Sequence, residues 1–99
     1  MTDLTQELHA HDIRELRGQL HHLKPVVIIG ANGLTNAVIE EIERALDNHE
    51  LIKIRTLTTV GEELGEIAHK ICEKTNSALI QTIGHIIAIY RKNPTPFED

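Results

Sequence analysis

The sequence predicts a mixed α/β fold in the order αβαβαββ, its four strands forming one mixed sheet. Three observations carry this. The β-branched run Val26-Val27-Ile28-Ile29 is strand-sized and closes on glycine. Val38 to Leu46 and Leu64 to Cys72 place apolar residues at helical spacing. Two β-rich runs then flank Gly84-His85, a hairpin signal.

The elements follow in order. Ile13, Leu16, Leu20 and Leu23 recur at helical spacing, and Leu4 and Leu8 extend the stripe. Gly18 costs this helix about 1 kcal/mol in propensity, which implies close packing there. Lys24-Pro25 ends it, because the residue before proline is pushed out of the α region. Val26 to Ile29 is apolar on both faces and is expected as a central strand covered on each side. After Gly30-Ala31-Asn32-Gly33-Leu34, Thr35 or Asn36 is a natural N-cap. Val38, Ile42, Ala45 and Leu46 form one face of the next helix, and Glu40, Glu41, Glu43 and Asp47 the other; Asn48-His49 closes it.

Leu51 to Leu57 reads as a strand with Lys53 and Arg55 on a polar face or edge, where charges blunt sheet pairing. Thr59-Val60-Gly61-Glu62 matches a capping box. Leu64, Ile67, Ala68, Ile71 and Cys72 make the clearest amphipathic helix, broken by Thr75-Asn76-Ser77. Ala78 to Ile83 and Ile86 to Arg91 complete the set. Crossovers through helices join the first three strands, and the fourth runs antiparallel.

At 99 residues the chain is expected to be one domain, with a body of about 5–92 and a flexible tail over 93–99. No apolar run approaches a membrane span, and the N-terminal stretch with Asp3 and Glu7 is not of signal-peptide type. A cytoplasmic monomer without membrane association is the expectation. The lone Cys72 falls on an apolar helix face, where a buried thiol is expected rather than a nucleophile. Net charge is −5, but Asp3, Glu7, Asp12, Glu98 and Asp99 account for all of it, leaving residues 13–92 neutral. Arg14, Arg17 and Lys24 make the approach to the glycine loop mildly basic, while the following helix is acidic.

That loop is the chemically suggestive feature. A strand that breaks at two glycines and restarts as a helix presents unpaired N–H groups at a helix N-terminus, where the dipole favours an anion such as phosphate. Glycine at both ends permits positive φ and close approach of a ligand. The same residues also suit an ordinary Asn-Gly turn.

Four blocks in order, Leu23-Lys24-Pro25-Val26-Val27, Ile29-Gly30-Ala31-Asn32-Gly33-Leu34-Thr35, His49-Glu50-Leu51-Ile52-Lys53 and Ile83-Gly84 through Tyr90-Arg91, resemble the CRM domain. This is the chloroplast RNA splicing and ribosome maturation module, here in its stand-alone bacterial YhbY-type form, and the likeness spans about residues 5–92. It implies a compact αβαβαββ domain similar to the C-terminal domain of translation initiation factor 3. It also implies RNA binding through a Gly-x-x-Gly loop like that of KH domains, and a role in maturing ribosomal particles, chiefly the large subunit. The chain departs from the family in carrying Ala31 where many members have a basic residue, and in having fewer cations on the first helix and after the last strand.

On this reading Gly30 and Gly33 fix the loop. Ala31, Asn32 and Leu34 offer main-chain N–H groups, and Asn32 and Thr35 add side-chain hydrogen bonds. Lys24, Arg17 and Arg14 supply salt-sensitive attraction. His22, with His21, adds charge near the loop when protonated, which implies tighter binding at mildly acid pH. The partner expected is ribosomal RNA or its precursor, with ribosomal proteins sharing the docking. Arg91 and Lys92 are secondary candidates. One Tyr and one Phe cannot build an aromatic platform for bases, and Tyr90 reads as a half-buried sheet residue.

No catalytic residue, cofactor or metal is expected. Ser77 has no evident base, no histidine pair stands at i, i+4, and no cysteine completes a zinc spacing. Consecutive acids on a helix flank are usually a solvated face. The competing class is a protein-interaction module whose acidic helix, Glu40 to Glu50, docks on a basic ribosomal partner. A metal-dependent hydrolase is a third.

Overall fold

The computed structural model describes residues 9–93. Its elements are α1 (Ala10–Gln19), a 3-10 turn (Leu20–His22), β1 (Pro25–Ile29), α2 (Asn36–His49), β2 (Leu51–Thr56), α3 (Glu62–Thr75), β3 (Ala78–Ile83) and β4 (Ile86–Tyr90). The αβαβαββ order is the predicted one. The expectations for Leu4, Leu8 and residues 94–99 lie outside the described residues. No helix among the described residues is long and apolar enough to cross a membrane.

One sheet runs in the order β1-β2-β4-β3. β1 and β2 are parallel, and β4 is antiparallel to both β2 and β3. The first three strands therefore point one way, and the returning hairpin strand inserts between the second and third. The two-residue turn Gly84-His85 makes that return, with Gly84 at φ +59°.

Alternation sorts the strands between two cores. Val27, Ile29, Ile52, Ile54, Ile87 and Ile89 face α2 and α3, where Ile42, Leu46, Leu64, Ala68 and Ile71 close over them. The spacing of 42 and 46, and of 64, 68 and 71, sets one stripe per helix toward the sheet. Each isoleucine fully buried here contributes roughly 1.5–3 kcal/mol. On the opposite face Leu20, Leu51, Ile80 and Ala88 form a smaller cluster under α1, with Ile13, Leu16 and Leu23 at its margin.

Four expectations are corrected. β1 is an edge strand and not a central one, because β4 takes the place beside β2; its outward Val26 and Ile28 are 47% and 56% exposed. β2 is central, so Lys53 and Arg55 do not protect an edge. Gly18 is exposed, and a Cβ built there meets nothing within 4 Å, so close packing does not explain it. The capping box at Thr59 does not form: the N-cap of α3 is Gly61, at φ +69°, and the Thr59 carbonyl accepts from Thr56 Oγ1 at 2.6 Å.

The C-terminal margin is pinned at its first residue. Asn93 N–H donates to Glu50 Oε2 (2.9 Å) and its Nδ2 to the Asp47 carbonyl (2.7 Å), so the expected tail does not begin at 93. Glu50 follows α2 with φ +64°, held by its N–H to Leu46 O and by Arg91 N–H on its carbonyl.

Candidate functional site

Parallel orientation gathers the C-terminal ends of β1 and β2 and the β3–β4 turn at one end of the sheet. The N-termini of α2 and α3 open at the same end. Main-chain bonds knit it together: Leu57 N–H donates to Ile29 O (3.0 Å) and Thr56 N–H to His85 O (2.8 Å).

The segment from Gly30 to Thr35 is a built turn. Gly33 N–H donates to Gly30 O at 3.0 Å, and Thr35 N–H to Gly33 O at 3.1 Å. Gly33 takes φ +74°; Gly30 does not take a positive φ, contrary to the expectation for both glycines. Leu34 packs its side chain against the main core and anchors the turn, while Ala31 and Asn32 stand exposed at its tip. Thr35 is the N-cap, its Oγ1 accepting Val38 N–H at 3.2 Å, so its hydroxyl keeps a proton to donate.

Five N–H groups, those of Ala31, Asn32, Leu34, Asn36 and Ala37, make no hydrogen bond to another described residue. They are orphan donors at a helix N-terminus. The first turn of α2 carries no acid, whereas that of α3 carries Glu62 and Glu63, which complement the dipole from within. Of the two helix starts at this end, that of α2 is the one without a carboxylate of its own to oppose an external anion.

The cations predicted beside this turn are elsewhere. Lys24 and His22 precede β1 and Gly30 follows it, so about 17 Å of strand separates them. They line a cleft of about 300 Å³ with His49. Arg17 reaches the opposite sheet edge, where its Nε donates to Ile80 O at 3.1 Å. Arg14, one helical turn earlier, is exposed. The basic approach inferred from sequence proximity is thus dispersed over the α1 face. The formal cation in register beside the end of β1 is Arg55, exposed and paired across strands with Ile28. The strand alternation marked Arg55 as outward, but not that this face is open.

Arg91 serves the fold. It donates to Glu43 Oε1 (2.8 Å), Asp47 Oδ1 (2.9 Å) and the Thr75 carbonyl (2.7 Å), and its side chain is 18% exposed. Together with the Glu50 bond to Asn93, this engages two acids of α2 and the one that follows it internally. The acidic helix accordingly offers an outside partner only Glu40 and Glu41 as exposed, unengaged carboxylates in its first half.

The nucleophile candidates are structural. Ser77 is buried, sharing a 2.9 Å hydrogen bond with Thr75 Oγ1. Burial pushes the Cys72 thiol up from its ordinary value, with a smaller opposing hydrogen bond from Ser77. His11, Asp12 and Glu15 meet on α1, with Asp12 and Glu15 beside Tyr90, and Asp12 Oδ2 already accepts the His9 N–H at 3.1 Å.

Comparison with known proteins places this geometry. A Pseudomonas aeruginosa protein named probable RNA-binding protein PA4753 is 45% identical over 76 residues, 77% of this chain and 73% of that one. A Haemophilus influenzae RNA-binding protein is 49% identical over 76 residues, 77% of each chain. The solution structure of the hypothetical protein SAV1595 from Staphylococcus aureus superposes with a TM-score of 0.79 at 35% identity, covering 89% of this chain and 92% of that one. The family model of the CRS1 / YhbY (CRM) domain matches residues 8–91, and the chain belongs to that family.

Proposed function

We propose that this chain binds RNA through its sugar–phosphate backbone, with the turn from Gly30 to Thr35 and the first turn of α2 holding a phosphate. The observation that carries the reading is the set of unpaired N–H groups at Ala31, Asn32, Leu34, Asn36 and Ala37, on a helix start without an acid of its own. An anion there satisfies donors that otherwise only water can reach, and it meets the positive end of the dipole. Asn32 Nδ2 and the Thr35 hydroxyl add donors. The RNA-binding names of the relatives support the partner class.

Arg55, Lys53, Arg17 and Arg14 lie along the open sheet face and α1, with Lys24 and His22 at its lower margin. They attract the strand as it leaves the turn. With so few cations, affinity depends shallowly on salt. The family likeness extends the reading to ribosomal RNA or its precursor, and to precursor particles of the large subunit in the cytoplasm. The chain acts there by binding, as a monomer, with ribosomal proteins sharing the contact.

Asn32→Asp tests this. The side chain is exposed and Asp suits the same turn, so the fold is kept. A negative charge at the tip repels phosphate and should weaken binding of a short RNA about tenfold or more. Unchanged affinity would remove the turn from the interface. Cross-linking in cells, followed by sequencing of the attached RNA, tests the ribosomal partner.

A further inference from the structure

A cleft of about 390 Å³ lies between α1 and the sheet, and none of the residues from Gly30 to Thr35 lines it. Its floor is Ile86 and Ala88, and its walls carry Arg17 from α1, His21 from the 3-10 turn, Lys53 from β2 and Gln81 from β3. No carboxylate lines it, although the chain as a whole is acidic. We propose that this cleft seats one unpaired nucleotide of the bound RNA; the proposal rests on the RNA-binding reading and adds that the strand is single where it crosses the sheet.

The chemistry of the walls selects that occupant. Arg17 spends its Nε on Ile80 O and Lys53 its Nζ on Leu23 O at 3.1 Å. Each tether holds the charge in place and leaves further donors for a phosphate. The Gln81 side chain makes no hydrogen bond to another described residue, so its amide offers a donor and an acceptor together, which is what a base edge requires. Ile83 and Ile86 give the base an apolar surface, Ile83 standing 64% exposed. The register continues that surface across the sheet as Ile83, Ile86, Arg55 and Ile28. An aliphatic row with one guanidinium lets a splayed base lie flat without an aromatic ring. The volume suits a small ligand and not a duplex.

Gly18 gains a reason on this view. It sits on the wall of the cleft inside α1, costs the helix propensity, and has open space where a Cβ would be. A larger residue would stabilise the helix and narrow the mouth.

The test compares a short single-stranded RNA of mixed sequence with the same sequence annealed to its complement, using the whole chain. Gly18→Leu should weaken single-strand binding about tenfold and leave duplex binding unchanged. Gln81→Met, which keeps the shape and removes the amide, should do the same to about fivefold. Asn32→Asp should weaken both RNAs. Single-strand binding unchanged by both cleft variants, or lost equally for both RNAs, would overturn the proposal. If Asn32→Asp still weakens binding in that case, the phosphate turn stands without the cleft. A wild-type chain that binds neither RNA ends both.

Discussion

Gly33 donates its N–H to the carbonyl of Gly30 across 3.0 Å, yet of the two only Gly33 occupies the left-handed region, at φ +74°. The turn therefore depends on its glycines unequally. A side chain at Gly33 is strained whatever the space, whereas one at Gly30 meets nothing within 4 Å. Gly33→Ala should cost about 1–2 kcal/mol in urea unfolding. Gly30→Ala should change stability by less than about 0.5 kcal/mol. Equal losses would show that the turn is held differently.

Arg91 ties the end of β4 to the acidic face of α2 through Glu43 and Asp47, and also takes the Thr75 carbonyl. Its removal leaves the half-exposed Glu43 carboxylate and the Thr75 carbonyl without this partner. Arg91→Met should lower stability by about 1–3 kcal/mol. Asp47→Ala, at the outer and more exposed pair, should cost about 0–1 kcal/mol. RNA affinity, measured on the folded fraction, should not fall with Arg91→Met. A selective loss of RNA binding with full stability would return Arg91 to the interface.

Much of this was legible in the sequence, and the failures share a cause. Helical spacing, β-rich runs and turn residues placed every strand and helix, and of the two caps the sequence offered for α2, Thr35 or Asn36, Thr35 is the one whose oxygen meets a donor three residues on. Local patterns cannot report strand order. Val26 and Ile28 looked buried on both faces because nothing in their own run says that a hairpin strand will displace β1 from the centre. The same ignorance made Lys24 look adjacent to the glycine turn, when a whole strand lies between. The Thr59 box failed because the helix starts two residues later: Gly61, at φ +69°, is the N-cap of α3, so Thr59 stands outside the first turn. Tertiary context decides such cases.

Alkaline pH offers an independent check on the core. Burial raises the Cys72 thiol above its ordinary 9.0, and burial, then the charges of Glu50 and Asp12, raise the Tyr90 phenol above 10.0. Between the ordinary and the raised value the unfolded chain has lost the proton while the folded chain keeps it. Stability is then intact below the ordinary values and falls as pH climbs through that window. The urea midpoint should drop between about pH 8 and about pH 10.5, and Cys72→Ala should remove part of the drop. A midpoint that holds or rises over that range would contradict the placement of both groups.

The central claim is that main-chain amides, and not a cluster of cations, hold the phosphate. Titrating a short single-stranded RNA into the nitrogen-15-labelled chain reads those amides one by one. The N–H signals of Ala31, Asn32, Leu34, Asn36 and Ala37 should move together and saturate with the binding isotherm. Binding that leaves those five signals still while shifting others, such as those of Glu40 and Glu41 on α2, would contradict it.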